Sequence, residues 1–109
     1  MPMHEFGIMP EAPKSGNSYE KYEPEKYDCI SVDDEDAVFL FPLLSEINTY
    51  FHSIDKPSRG LNYFGITLIP PEAAEKMLGV LPPQREFKSL SALLLRAKNE
   101  HKFIIHFGI

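Results

Sequence analysis

Ten prolines in 109 residues constrain this chain more than any other feature, because each fixes φ and removes a backbone donor, confining regular structure to the segments between them. Four of them, Pro2, Pro10, Pro13 and Pro24, fall in the first 26 residues together with the turn-forming run KSGN at 14–17. That segment lacks helical periodicity and reads as an extended arm carrying a short edge strand in HEFGI (4–8). Tyr19, Tyr22 and Tyr27 predict that the arm is tied down, since each ring buries apolar area while its hydroxyl reaches a partner or water. The expected division is an arm over 1–26 and a folded domain over 27–109.

Between the remaining prolines the patterns are regular. YDCISV (27–32) alternates like a short strand, and DDEDAVFLFPLLSEI then places apolar residues at 37, 40, 41, 44 and 47, which is helical spacing. Pro42 inside that stretch predicts a kink or a split into two pieces. NTYFHSI (48–54) and LNYFGITLI (61–69) read as two strands of a hairpin around the turn-rich DKPSRG. Pro70 and Pro71 end the second strand, and Pro71 suits a first helical turn. Ala74, Met77, Leu78 and Leu81 give the next helix its stripe, and Pro82 with Pro83 stops it. A third helix is expected from an N-cap at Ser89 to Glu100, followed by a last strand in KFIIHFGI (102–109). The order predicts an α+β fold with one sheet and helices on one face, in a ferredoxin-like βαββαβ arrangement with an extra helix.

The length allows one domain with a real core and no need of staples. A single cysteine excludes an internal disulfide, no apolar run approaches the ~18 residues of a membrane span, and the amino terminus lacks the pattern of a secretion signal, so the reading is cytoplasmic. The net charge of −5 is unevenly spread: residues 27–55 hold seven acids and no base, whereas 56–109 hold four acids and eight bases. No basic stripe exists of the kind a phosphate backbone needs, so nucleic acid is not expected as a partner. An acidic face that attracts a basic protein is the functional alternative to charges mixed evenly over the surface.

Asp33, Asp34, Glu35 and Asp36 form the densest run of carboxylates. Calcium loops need carboxylates at alternate positions with a central glycine, which this run lacks. It reads instead as a helix cap with acids opposing the positive helix end, and as a candidate partner-facing patch. Cys29 has acidic sequence neighbours, which oppose thiolate formation and favour a structural role. His4, His52, His101 and His106 include no pair at helical metal-site spacing and no companion cysteines, so neither metal nor cofactor is expected. Strand alternation would put Tyr50 with His52, Tyr63 with Thr67, and His106 opposite the apolar Phe103, Ile105 and Phe107. These polar sets would then share an open sheet face, unless the arm covers it.

MHEFGIM, YEKYEPEKYDCISVDD and GLNYFGITLIPPE resemble a family of small bacterial proteins with no settled activity, over Met3 to about Glu72. That resemblance implies no catalytic residue. In size and acidity the chain is similar in style to immunity proteins, which neutralise toxin domains by binding them. The resulting expectation is a non-enzymatic protein-binding module that uses Asp33, Asp34, Glu35, Asp36, Tyr50, His52, Tyr63 and His106. The alternatives are a small enzyme or ligand-binding domain with Cys29, His52 or His106 in a pocket, and a homodimer built sheet to sheet.

Overall fold

A computed structural model describes residues 2–109. In chain order the elements are β1 (Met3–Ile8), β2 (Ile30–Asp33), α1 (Asp34–Leu44), β3 (Asn48–Phe51), β4 (Pro57–Arg59), β5 (Ile66–Ile69), α2 (Pro71–Val80), a 3-10 turn (Arg85–Phe87), α3 (Lys88–Glu100) and β6 (Ile104–Phe107). The six strands form one open sheet in the order β2-β1-β6-β5-β3-β4, with every pair antiparallel. The α+β class with a single sheet is as expected. The ferredoxin-like order is not recovered, because two further strands enter the sheet and the last strand, β6, lies between β1 and β5.

The HEFGI strand is interior rather than at an edge: β1 pairs with β2 on one side and β6 on the other. Its proline-rich surroundings mask a segment whose Phe6 and Ile8 face the helices while Gly7 lets the chain cross closely over its other side. The strand expected over 61–69 is regular only from Ile66. Before it the chain turns, with the Gly65 N–H donating to the Asn62 carbonyl and the Asn62 N–H to Thr67 Oγ1. β4 begins with Pro57 and lies at the sheet edge, where a missing donor does no harm to the ladder.

α1 runs past Pro42 without splitting, and the proline ring sits exposed near the last turn. Its inward stripe is Ala37, Leu40 and Leu44. α2 starts at Pro71 as expected and buries Ala73, Ala74 and Met77. Ser89 does not cap α3. The 3-10 turn runs into that helix through Phe87, whose ring is buried in the helix-side core, and His101 closes it in the left-handed conformation at φ 56°. No helix among the described residues is long and apolar enough to cross a membrane.

Both faces of the sheet are covered. Helices pack on Phe6, Ile8, Val32, Ile69 and Ile104 to form the larger core. On the opposite face Ile66, Leu68, Ile105 and Phe107 meet Met9, Tyr27 and the half-buried Tyr19 of the arm. Fully burying a large apolar side chain stabilises by roughly 1.5–3 kcal/mol before chain entropy is subtracted, so this second layer is a substantial part of the fold.

Candidate functional site

The acidic run closes β2 and opens α1. Asp33 Oδ1 accepts the Glu35 N–H at 3.1 Å, which makes Asp33 the N-cap, and Asp34, Glu35 and Asp36 occupy the first turn beside the positive helix end. Asp34 turns inward, accepting from His4 Nε2 at 2.9 Å with Oδ1 and from the Tyr63 hydroxyl at 3.1 Å with Oδ2. The bond to this carboxylate raises the Tyr63 phenol above its ordinary pKa. Glu35 is exposed and Asp36 partly so, leaving both available to another molecule.

Behind Asp34 a chain of buried hydrogen bonds runs across three strands. His4 Nδ1 and His106 Nε2 are 2.9 Å apart, and His106 Nδ1 lies 3.0 Å from Thr67 Oγ1, which also accepts the Asn62 N–H at 2.8 Å. One set of proton positions satisfies every member. Thr67 O–H donates to His106 Nδ1, His106 Nε2–H to His4 Nδ1, and His4 Nε2–H to Asp34. Burial is the main reason the His106 imidazole is held down to a pKa of about 3, with the electrostatic influence of neighbouring His4 second. His4, Thr67 and His106 are fully buried, and the rings of Phe41 and Tyr63 close over His4 at 5.6 and 5.4 Å. Without access for a substrate, Thr67 cannot act as a nucleophile. The chain of bonds is an internal brace joining β1, β5, β6 and α1.

At the same end of the sheet the opposite face is only partly covered. β1 begins there, β2 and β6 finish there, β5 begins there and β3 ends beside it, as the pairs Met3 with Asp33, Glu5 with Phe107, Ile66 with Phe107 and Phe51 with Thr67 require. The arm reaches this end through His52, which takes φ 65° just after β3. The Tyr19 N–H donates to the His52 carbonyl at 2.7 Å, and His52 Nδ1 donates to the Tyr19 carbonyl at 3.0 Å. Tyr22 then extends outward, donating its hydroxyl to Glu5 and meeting Phe107 edge-on at 5.4 Å. Glu5 raises the Tyr22 phenol to a pKa of about 12. Glu20, Tyr22, His52, Phe64, Ile66 and Phe107 line a cleft of about 160 Å³, at whose rim Phe64 is 80% exposed.

No protein-family model, no curated protein and no solved structure matches this chain. The geometry alone therefore carries the functional reading.

Of the residues singled out in the sequence, Asp33, Asp34, Glu35, Asp36, His52 and Tyr63 gather at this end. Two others do not. Tyr50 packs in the arm-side core, and His106 lies beneath the helices, not on the arm-side face with Ile105 and Phe107. Both faces of β6 are buried, so alternation there does not separate an inner from an outer set. Cys29 lies against Gly7 on the arm side, where burial, with Glu5 and Asp28 nearby, pushes its thiol up to about 12. Of Cys29, His52 and His106, His52 lines the cleft, and the other two do not. No group of three or more histidine, cysteine or acidic side chains among the described residues could hold a metal ion.

Sequence reasoning missed His4, Thr67, Tyr22 and Phe64. The first had a signal, because His4 has the parity of Phe6 and Ile8, and a histidine on a core stripe must find a buried partner.

Proposed function

We propose that this protein is a non-enzymatic protein-binding module that docks a basic partner on its acidic and aromatic end. One observation carries the reading: exposed Phe64 and Tyr22 stand among Glu5, Glu20, Asp33, Glu35 and Asp36, where the strand ends and the α1 N-terminus converge. The outer side of α1, which starts at this end, also exposes Val38, Phe39 and Leu43. Aromatic anchors inside a charged rim are the composition from which interfaces draw their affinity, while the charge speeds encounter with an oppositely charged partner. An immunity-like role is the specific form of this proposal, with a basic toxin domain as the partner.

The test compares the wild-type protein as bait with a Phe39→Ser, Phe64→Ser, Glu35→Gln, Asp36→Asn variant in extracts of its source. A directly binding basic partner, weakened by salt and lost with the variant, is the expected result. An unchanged partner set would remove this surface from the account. Sedimentation of the purified protein separately reveals whether the surface pairs with a second copy instead.

A further inference from the structure

We infer that the cleft between Tyr22, Phe64 and Phe107 is a cation-binding pocket that receives a lysine or arginine side chain of the partner. This inference rests on the reading that the acidic end binds a basic protein, and it gives that surface a specific anchor.

Three aromatic side chains contribute to the walls. Tyr22, largely exposed, presents its ring as one wall and stands nearly perpendicular to the buried Phe107 beneath it, at 86° and 5.4 Å between centroids. Phe64 supplies another wall, standing at 88° to Tyr63 with centroids 4.7 Å apart. A cation over such faces is attracted by their negative quadrupoles. Glu20 brings a full negative charge to the lining, and the lining includes no lysine or arginine. The Tyr22 hydroxyl donates to Glu5, so a second carboxylate stands behind that ring and enriches it in electrons. Lys21 follows Glu20 and is absent from this lining; with Glu20, Tyr19 and Lys26 it lines an adjoining depression.

The pocket is also held in shape before any ligand arrives. Gly108 N–H donates to the Gly65 carbonyl at 2.8 Å and Ile109 N–H to the Tyr63 carbonyl at 2.9 Å, fastening the Phe64 turn to the chain end. A Cβ on Gly108 would clash with the Tyr63 carbonyl oxygen, so this close approach needs glycine. His52 fixes the other side: its Nδ1 donates to Tyr19, and its Nε2 accepts from Asn62 Nδ2 at 3.4 Å. Asp34 anchors Tyr63, against which Phe64 leans. Preorganisation of this kind lowers the entropy cost of capturing a flexible cationic side chain.

The experiment titrates the ¹⁵N-labelled full chain with Nα-acetyl-arginine methylamide, Nα-acetyl-lysine methylamide and the neutral isostere Nα-acetyl-citrulline methylamide. Saturable shifts are expected at the amides of Tyr22, His52, Phe64, Gly65 and Gly108 with both cations, and roughly three- to thirtyfold weaker binding with citrulline. Phe64→Leu, at a site exposed enough to keep the fold, should weaken the cations by a similar factor, and Glu20→Gln should also weaken them. Equal response to citrulline, or no saturable shift with either cation, overturns the pocket. The same two variants separate this inference from the reading beneath it. If partner binding survives Phe64→Leu with Glu20→Gln but fails with Glu35→Gln and Asp36→Asn, the pocket is wrong and the docking surface stands. Indifference to all four substitutions removes both.

Discussion

The two faces of the sheet are built from alternate residues of the same strands, yet they are sealed by different means. On one face, Ile104 and His106 of β6 lie under helices, whose backbone polar groups are satisfied internally and whose apolar stripes form a continuous lid. On the other, Ile105 and Phe107 lie under the segment from Met9 to Tyr27, which follows β1 and has no helix or strand of its own, held by side-chain rings and a few bonds such as Met9 N–H to the Phe103 carbonyl at 2.9 Å. The helical face can therefore enclose a polar network completely. The arm face leaves a cleft where the cover ends. A rigid lid protects titratable groups from solvent, whereas an irregular one leaves room for a ligand.

That contrast can be broken most severely at the histidine brace. His106→Leu strands His4 Nδ1 and the Thr67 hydroxyl in the core, at a cost of about 1–3 kcal/mol for each group left unpaired. Urea unfolding measures the loss. The brace also predicts a pH dependence of known sign. His106 titrates near 6.5 when unfolded and is held to about 3 when folded, so between those values the unfolded chain binds the extra proton and stability falls as pH falls. The wild type should thus lose about 1.4 kcal/mol per pH unit from this group in that window. The leucine variant lacks this term, so the stability gap between the two should narrow on acidification. A gap constant from pH 7 to pH 4 would refute the sealed neutral imidazole.

The next contrast uses two neighbouring residues of one type. Ile104→Ala and Ile105→Ala remove the same atoms from opposite faces, at 0% and 1% exposure. Both fall within the ~2–5 kcal/mol range of such truncations, with Ile104 nearer the top, because close-packed helices collapse less readily into a cavity than the arm does. Equal losses would mean that the arm is as rigid as the helical layer. Gly7→Ala acts on the arm alone. The new Cβ would meet the Tyr27 carbonyl oxygen at 2.6 Å and Cys29 Sγ at 2.8 Å, so the arm must shift at a cost of about 1–3 kcal/mol. Limited proteolysis should then cut between residues 10 and 28 faster than in the wild type, and an unchanged cleavage rate would count against tight packing there.

Smallest in energy are the surface changes. Glu35→Gln with Asp36→Asn should lower stability by no more than roughly 0.3–1 kcal/mol for each charge removed from beside the positive end of α1. A larger loss by calorimetry would show that these acids serve the fold more than a partner. Cys29 supplies a kinetic check on the same division: its elevated pKa predicts slow alkylation at neutral pH, accelerated by Gly7→Ala. Fast modification of the native protein would revive a reactive-thiol reading.

Much of the local structure was legible. Helical spacing at 37, 40 and 44 and at 90, 93, 94 and 97 marks the buried stripes of α1 and α3, and a cap at Asp33 or Asp34 follows from acids preceding an apolar stripe, of which the structure uses Asp33. What alternation cannot decide is which face a residue meets when both faces are buried, which is why it puts His106 on the open face although the helices cover it. The cleft was illegible for another reason. Tyr22, Phe64 and Phe107 are separated by more than forty residues at each step, and nothing local links them.

By itself, the sequence determined most of the segmentation: prolines other than Pro42 mark where regular structure starts or stops, and side-chain periodicity says what lies between them, since both act over a turn or a strand. Only the tertiary structure decided that β1 is interior, that His4 meets His106, and that the arm ends at an acidic and aromatic cleft. Those outcomes depend on strand order and register, where a shift of one residue exchanges every inward side chain for an outward one.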